Sequence, residues 1–363
     1  MRVVVVGAGL VGTAIARSLA RRGAEVVVVE KGVPGAEASW AAGGILSPLA
    51  ECDDDGPLLR LCLAGLSTTR ALVAELADDG HDAGLIDGGT LDVAFDDDDE
   101  ASLRARLRWQ AQADFGEASC GRWLDVDDVR EVVPAIGAVR GAAWFSGEAS
   151  LDPRRLFAGL RATAQSKGVT FVPRRVLAVE PRAVVVDHAG LSERHEADAV
   201  VVAAGAWTSQ VQGADVGADI VYPVRGQMLE VQGPAGAFRS VVFSRKGYVV
   251  PRHDGRIIAG STMERVGFEK ALTPHGLARI GGLFSSLLPS LGDAPVVGSW
   301  AGLRPGTIDG LPLLGRQPSG VWIASGHYRN GVLLAAQTAA LLTRAILDGD
   351  EGPLAPFRPS RRG

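Results

Sequence analysis

A β-branched run, Val3–Val6, stops at Gly7 and passes directly into Gly7-Ala8-Gly9-Leu10-Val11-Gly12. Few short patterns restrict a fold as strongly. A G-x-G-x-x-G alone is weak, but here it follows a predicted buried strand and opens a predicted helix, Gly12–Arg22. Glu25–Glu30 (EVVVVE) reads as a second buried strand, so β-α-β occupies the first 30 residues. A right-handed crossover then places the two strands in parallel. Gly7 permits the tight turn, Gly9 lets a pyrophosphate approach the backbone, and Gly12 allows the helix to pack closely on the strand. The helix N-terminus points at the phosphates. Glu30 stands where a carboxylate accepts hydrogen bonds from an adenosine ribose and disfavours a 2′-phosphate. The reading is a dinucleotide-binding α/β unit.

The rest of the chain sets limits. Its 363 residues suit two domains or one composite unit, and 47% apolar residues suffice for a large core. A net charge of −5 without a basic stripe argues against nucleic acid. Cys52, Cys62 and Cys120 lack metal-ligand spacing, and such a sparse odd set fits a reducing compartment; no metal is expected. The apolar stretch Val3–Ala16 is too short to span a bilayer. It is followed by Arg17, Arg21 and Arg22 where a signal peptide would end in small residues. The expectation is a cytoplasmic protein without a membrane partner.

Periodicity predicts helices over 58–79, 101–113, Asp152–Gln165, Thr273–Leu288 and Asn330–Leu347. Asp152 reads as an N-cap before Pro153. The acidic run Asp96–Glu100 reads as a solvated helix start. Strands are expected at 85–95, Val169–Val172, Arg175–Glu180, Ala199–Ala204 and Trp322–Ser325. Segments 225–233, 240–252 and 256–262 alternate like antiparallel strands. The tail from Pro353 reads as frayed. The fold class is therefore α/β: a Rossmann-like unit made from both ends of the chain, with an inserted antiparallel β-rich domain. The boundaries place 1–85, 148–220 and 300–363 in the cofactor domain, and 86–147 and 221–299 in the substrate domain.

The fingerprint does not distinguish NAD from FAD. Ala38–Leu46, small and Gly-rich just after the ribose strand, can lie flat along an extended buried ligand, where a short-chain NAD dehydrogenase would place a helix. Together with Ala41-Ala42-Gly43-Gly44-Ile45-Leu46, Val200–Trp207, Tyr222–Gln227, Gly247–Arg252, Trp300–Thr307 and Gly326–Gly331, it makes the sequence similar to the FAD-dependent D-amino-acid oxidase family. Within that family it resembles the glycine oxidases of the thiamine pathway. These motifs span almost the whole chain.

The resemblance implies two-electron oxidation of glycine, sarcosine or a small D-amino acid. Oxygen is the acceptor, hydrogen peroxide a product, and the flavin carries the chemistry. It implies that Arg304 binds the substrate carboxylate as a bidentate fork, with Tyr248 on the same carboxylate, Arg329 lining the pocket and Met263 on its wall. It places FAD against Gly7, Gly9, Leu10, Val11, Gly12 and Glu30, then against Ala42, Gly43, Gly44, Ile45 and Leu46. It adds Val176, Ala204, Gly205 and Trp207, and also Arg304, His327, Arg329, Asn330, Gly331 and Val332. The helix after Gly331 would stabilise negative charge on the reduced flavin through its dipole. His327 reads either as a base or as a loop-packing residue. No cysteine lies in the C-terminal half, so the FAD is expected to be non-covalent. A homo-oligomer, dimer or tetramer, is expected.

Two departures stand out. Lys246 occupies the position of an expected histidine two residues before Tyr248, which makes Ser244-Arg245-Lys246 unusually basic. Ser47-Pro48 also differs and is expected to alter the pocket wall. Alternatives are a secondary-metabolism relative acting on a bulkier N-substituted glycine, such as an N-carboxymethyl β-amino acid, and a non-catalytic FAD-binding protein or tRNA-associated flavoprotein subunit. The intact Arg304/Tyr248 pair argues against the latter.

Overall fold

The strand Arg2–Val6 pairs in parallel with Glu25–Glu30 on one side and Ala199–Val202 on the other. This is the centre of a six-stranded sheet. Its order is Leu313–Arg316, Trp322–Ser325, Ala199–Val202, Arg2–Val6, Glu25–Glu30 and Thr170–Pro173. Only Leu313–Arg316 runs antiparallel to its neighbour. The computed structural model describes residues 1–113, 115 and 121–362, with Arg362 as backbone only. Cys120 lies outside the described residues.

Continuous valine runs make these strands, because both faces of a parallel sheet are covered. Val3, Val5 and Val28 face one core cluster with Ile15, Leu19 and Leu342, and Val4, Val6 and Val202 face another. The helices Leu10–Arg21, Pro57–Asp78, Pro153–Ser166 and Gly331–Asp348 cover the first side. Pro57–Asp78 and Gly331–Asp348 are long and apolar enough to cross a membrane by length and composition. In this fold they pack on one another and bury Leu59, Cys62, Leu76, Leu333, Leu334 and Leu342 in protein.

The second layer is an eight-stranded sheet. Its order is Val296–Thr307, Val221–Gln232, Arg256–Gly260, Gly247–Pro251, Val241–Ser244, Thr90–Ala94, Gly141–Phe145 and Arg122–Asp125. All pairs are antiparallel except Val241–Ser244 with Thr90–Ala94. The helix Pro274–Leu287 packs on this sheet through Ile280, Leu283, Phe284 and Leu287. An antiparallel meander, Val176–Glu180, Ala183–His188 and Leu191–Glu196, stands apart.

Several expectations are met to within a residue or two. Asp152 caps the helix Pro153–Ser166 by accepting from Arg154 N at 2.9 Å, and Asp97–Gln112 opens on its four acids. Others change. The tail is not frayed: Leu354 and Phe357 are buried, and Arg361 donates to Asp309. Two apolar anchors and a charged clamp outweigh a Pro- and Arg-rich composition. Trp300–Thr307 lies within the twelve-residue strand Val296–Thr307, which crosses position 300 unbroken. Ser47 is buried, with its hydroxyl 2.6 Å from that of Thr90, and neither Ser47 nor Pro48 lines the pocket wall.

Candidate active site

Glycine sets the shape of the cofactor end. Gly7 sits at φ +106°, and a Cβ there would lie 2.5 Å from the Ala203 carbonyl oxygen. At Gly12 a Cβ would lie 2.0 Å from the Gly7 oxygen. Helix and turn thus close on one another only without side chains. Gly9 differs, since a Cβ there would meet only Ser39 Oγ, at 3.2 Å. Gly9, Leu10 and Val11 instead line a cleft that runs between the two large sheets. Ser39 Oγ accepts from Leu10 N at 2.9 Å. Glu30 fastens the neighbouring strand to the loop, accepting from Ala8 N and Gly32 N, both at 2.9 Å.

The Ala42–Ile45 segment runs along the same cleft. Gly44 adopts φ +77°, and a Cβ there would lie 1.9 Å from the Leu151 oxygen. Arg252, buried, donates to the Gly43 carbonyl at 2.7 Å, and Trp300 Nε1 donates to the Ala41 carbonyl at 3.1 Å. Three motifs distant in sequence therefore meet at one wall. Below it Glu148 is buried and accepts from Leu49 N and Ala50 N; burial pushes its carboxyl up to about 8. On the far side the helix Gly331–Asp348 presents Gly331 and Val332 to the cleft. It starts at Asn330 without a side-chain cap or an acid in its first turn. At Gly205 (φ +54°) a Cβ would meet nothing within 4 Å.

These observations fit an extended, anionic dinucleotide. Glycine backbone faces the open cleft, two helix N-termini border it, and a carboxylate closes the second strand.

Beyond Gly43 the cleft widens into a chamber made of side chains. Arg304 lies on Val296–Thr307, opposite Val224. It donates through Nη1 to the Thr262 carbonyl at 3.2 Å and through Nη2 to Ser261 Oγ at 2.7 Å. Its guanidinium covers Gly226, where a Cβ would be 2.1 Å from Nη1. No ion pair is formed by Arg304 among the described residues. Tyr248 is buried beside Gly43, and its hydroxyl rests 3.6 Å from Met228 Sδ. Arg329 pairs with Glu51 at 3.0 Å, and the Glu51 side chain is only 8% exposed. Burial raises the Glu51 carboxyl above its ordinary range, against the pull of Arg329 and Arg304. Met263 is exposed on the chamber wall, not core, with the Tyr328 hydroxyl 3.4 Å from its Sδ.

His327 is committed elsewhere. It is buried, its Nε2 lies 3.0 Å from Thr338 Oγ1, and burial lowers its imidazole to about 4. That geometry favours the packing role over the base.

Not every expected residue reaches the cleft. Gly7, Gly12 and Glu30 support its lining from behind, and Leu46 is turned fully into the core. Val176 lies in the meander, pairing with Val186. Ala204 and Asn330 precede lining residues, and Trp207 stacks near Phe268 under Lys31. Sequence reading missed Ser39, Gly226, Ser261 and Arg279, which also lines the chamber. Gly226 was visible inside a recognisable motif. Arg279 is a lone cation on an apolar helix and carries no local signal. No group of three or more metal-ligating side chains occurs among the described residues.

The fold and the cleft define a class: a dinucleotide-binding oxidoreductase whose cofactor cradle ends in an arginine-lined chamber. Comparison with known proteins narrows this. Residues 2–345 match the sequence model of DAO, the FAD dependent oxidoreductases, and the chain belongs to that family. FAD is accordingly its cofactor. A glycine oxidase of Geobacillus kaustophilus (strain HTA426) is 33% identical over 371 residues, covering 99% of this chain and 96% of the relative. The bifunctional protein ThiO/ThiG of Synechocystis sp. is 35% identical over 377 residues, and the chain spans about half of its length (54%). The crystal structure of the glycine oxidase from Geobacillus kaustophilus superposes with a TM-score of 0.91 at 32% identity, covering 100% of this chain and 99% of that one.

Proposed function

We propose that this chain oxidises glycine, sarcosine or small D-amino acids to the imine and then the 2-oxo acid, reducing O2 to H2O2, in a thiamine pathway of the cytoplasm. One observation carries the reading: Arg304, largely buried and in no ion pair among the described residues, lines the chamber together with Tyr248. A planar fork without a counter-ion is a carboxylate receptor. The full-length similarity to glycine oxidases supports the same substrate class.

The chemistry that FAD supplies when bound non-covalently is acceptance of a hydride from the amine Cα–H and its discharge to oxygen. Everything else is positioning. Ser261 and the Thr262 carbonyl hold the Arg304 fork in one orientation, so the substrate carboxylate docks with its Cα toward Gly43 and Gly44. Tyr248 adds a hydroxyl donor to that carboxylate. Glu51 fixes Arg329, and Met263 with Tyr328 limits the side-chain space. We assign no general base, since His327 is tied to Thr338. In the same reading the six-stranded sheet is the core of the cofactor domain and the eight-stranded sheet that of the substrate domain. A dimer or tetramer belongs to it and is read by light scattering.

Anaerobic glycine should bleach the flavin absorbance, and readmitted oxygen should restore it with stoichiometric peroxide. Absence of bleaching with glycine, sarcosine and D-alanine alike would sink the proposal.

A further inference from the structure

We propose that Lys246 and Arg279 form a second anion-binding subsite at the chamber mouth, selecting an amino acid that carries a second carboxylate. The inference rests on the amine-oxidising reading above and deepens it.

The cleft is rich in cations that its own acids do not balance. Its lining carries one acid, Glu51, and five cations: Arg245, Lys246, Arg279, Arg304 and Arg329. Glu51 is taken by Arg329. Arg245 is taken from outside the cleft, by Asp96 at 2.6 Å and Asp99 at 3.0 Å. The acidic helix start at Asp96–Glu100 thus neutralises the first residue of the Arg245-Lys246 pair and leaves the second. Among the described residues the Lys246 ammonium has no ion pair or hydrogen bond and rests 4.9 Å from the centroid of the Phe95 ring. Arg279 has no ion pair or side-chain hydrogen bond among the described residues. Three cations therefore remain, Arg304, Lys246 and Arg279, and a simple amino acid brings one carboxylate.

Position links the two spare cations. Gly247 follows Lys246, and a Cβ on it would lie 2.5 Å from Leu283 Cδ2. Arg279 precedes Leu283 by four residues on Pro274–Leu287, so it projects from the same helix face one turn earlier. Lys246 and Arg279 thus reach the cleft from two elements packed on each other. Exposed like charges brought together repel by a modest amount, and an anion between them removes that cost. The second carboxylate belongs either to the Cα side chain or to the substituent on nitrogen.

The test uses holoenzyme and charge-matched pairs: D-aspartate against D-asparagine, and iminodiacetate against its monoamide. The readout is the anaerobic rate of flavin bleaching at sub-saturating substrate. In at least one pair the diacid should be favoured by about tenfold, falling with ionic strength. The D-aspartate pair reports a side-chain carboxylate, and the iminodiacetate pair one on nitrogen. The double variant Lys246→Gln/Arg279→Gln should bring the ratio near one. A ratio at or below one in both pairs, or one unchanged in the double variant, overturns the subsite. A binding readout stands apart from turnover: malonate and succinate should perturb the flavin spectrum at lower concentration than acetate. Weaker binding of the diacids than of acetate defeats this inference even if no amine is oxidised, whereas failure of every amine defeats only the activity proposed above.

Discussion

The two ends of the cleft are built on opposite plans. The cofactor end is backbone: Gly7, Gly9, Gly12, Gly44 and Gly205 shape it by what they lack, and only Glu30 contributes a charge. The chamber is side chain: Tyr248, Arg304, Arg329, Glu51 and Lys246 arrive from four segments, Arg329 held by Glu51 and Arg304 by Ser261 and the Thr262 carbonyl. A surface that recognises a long constant ligand tolerates almost no change. One that recognises a small variable ligand can be retuned residue by residue. Specificity therefore resides in the chamber, and substitutions at the two ends should have different consequences.

The largest effect should come from the glycine end. Gly12→Val places carbon where the Gly7 oxygen already lies, at a cost of at least about 3 kcal/mol because neither backbone can yield. The purified variant should show a lowered Tm and lose its visible flavin absorbance; full flavin content at normal Tm would show that the backbone there can yield. Next is Arg304→Ala. It should reduce kcat/KM by about a hundredfold or more, chiefly through KM, while the flavin stays bound. Steady-state kinetics checks this, and an unchanged KM would remove Arg304 as the anchor.

Glu51→Gln should act more mildly, at about tenfold in KM, by releasing Arg329 without emptying the site. Retention of normal KM would make the pair purely structural. The last effect concerns stability alone, at Glu148 under the cofactor wall. Unfolded, it gives up its proton near 4.5, whereas folded it keeps it to about 8. Between those values the folded state binds the extra proton, so stability falls as pH rises across that window. Glu148→Gln should flatten the Tm-against-pH profile across that window. A profile identical to the parent's would show that the carboxyl ionises normally.

The same contrast explains what could be read in advance. The Gly7–Gly12 loop, the strand to Glu30 and the Asp152 cap are contiguous signals, each fixed by local backbone physics, and each was legible. Ala42–Ile45 was legible because small residues in series leave a trace. The chamber was legible only where a residue sat in a recognisable motif, as Tyr248 and Arg304 do. Glu51 under Arg329, Ser261 on Arg304 and Arg279 beside Lys246 are tertiary pairings with no periodicity behind them. Met263 was legible through its motif alone: methionine also suits a core, and the fold places it exposed beside Tyr328. The tail misled for a related reason, since its two anchoring side chains, Leu354 and Phe357, are outnumbered by polar and proline neighbours.

The strand Val296–Thr307 has a mechanical consequence. At about 3.3 Å per residue its twelve residues form a beam some 40 Å long, zipped along almost its whole length to Val221–Gln232. Its far end, at Val296–Trp300, lies in the eight-stranded sheet, while Pro305 accepts from Tyr328 N and Thr307 donates to the Leu311 carbonyl at the cofactor side. A girder spanning both halves resists bending between them. Small molecules should then enter and leave past side chains at the mouth, such as Lys246 and Met263, with no jaw opening. Turnover should accordingly show little drag from a viscous solvent such as concentrated sucrose.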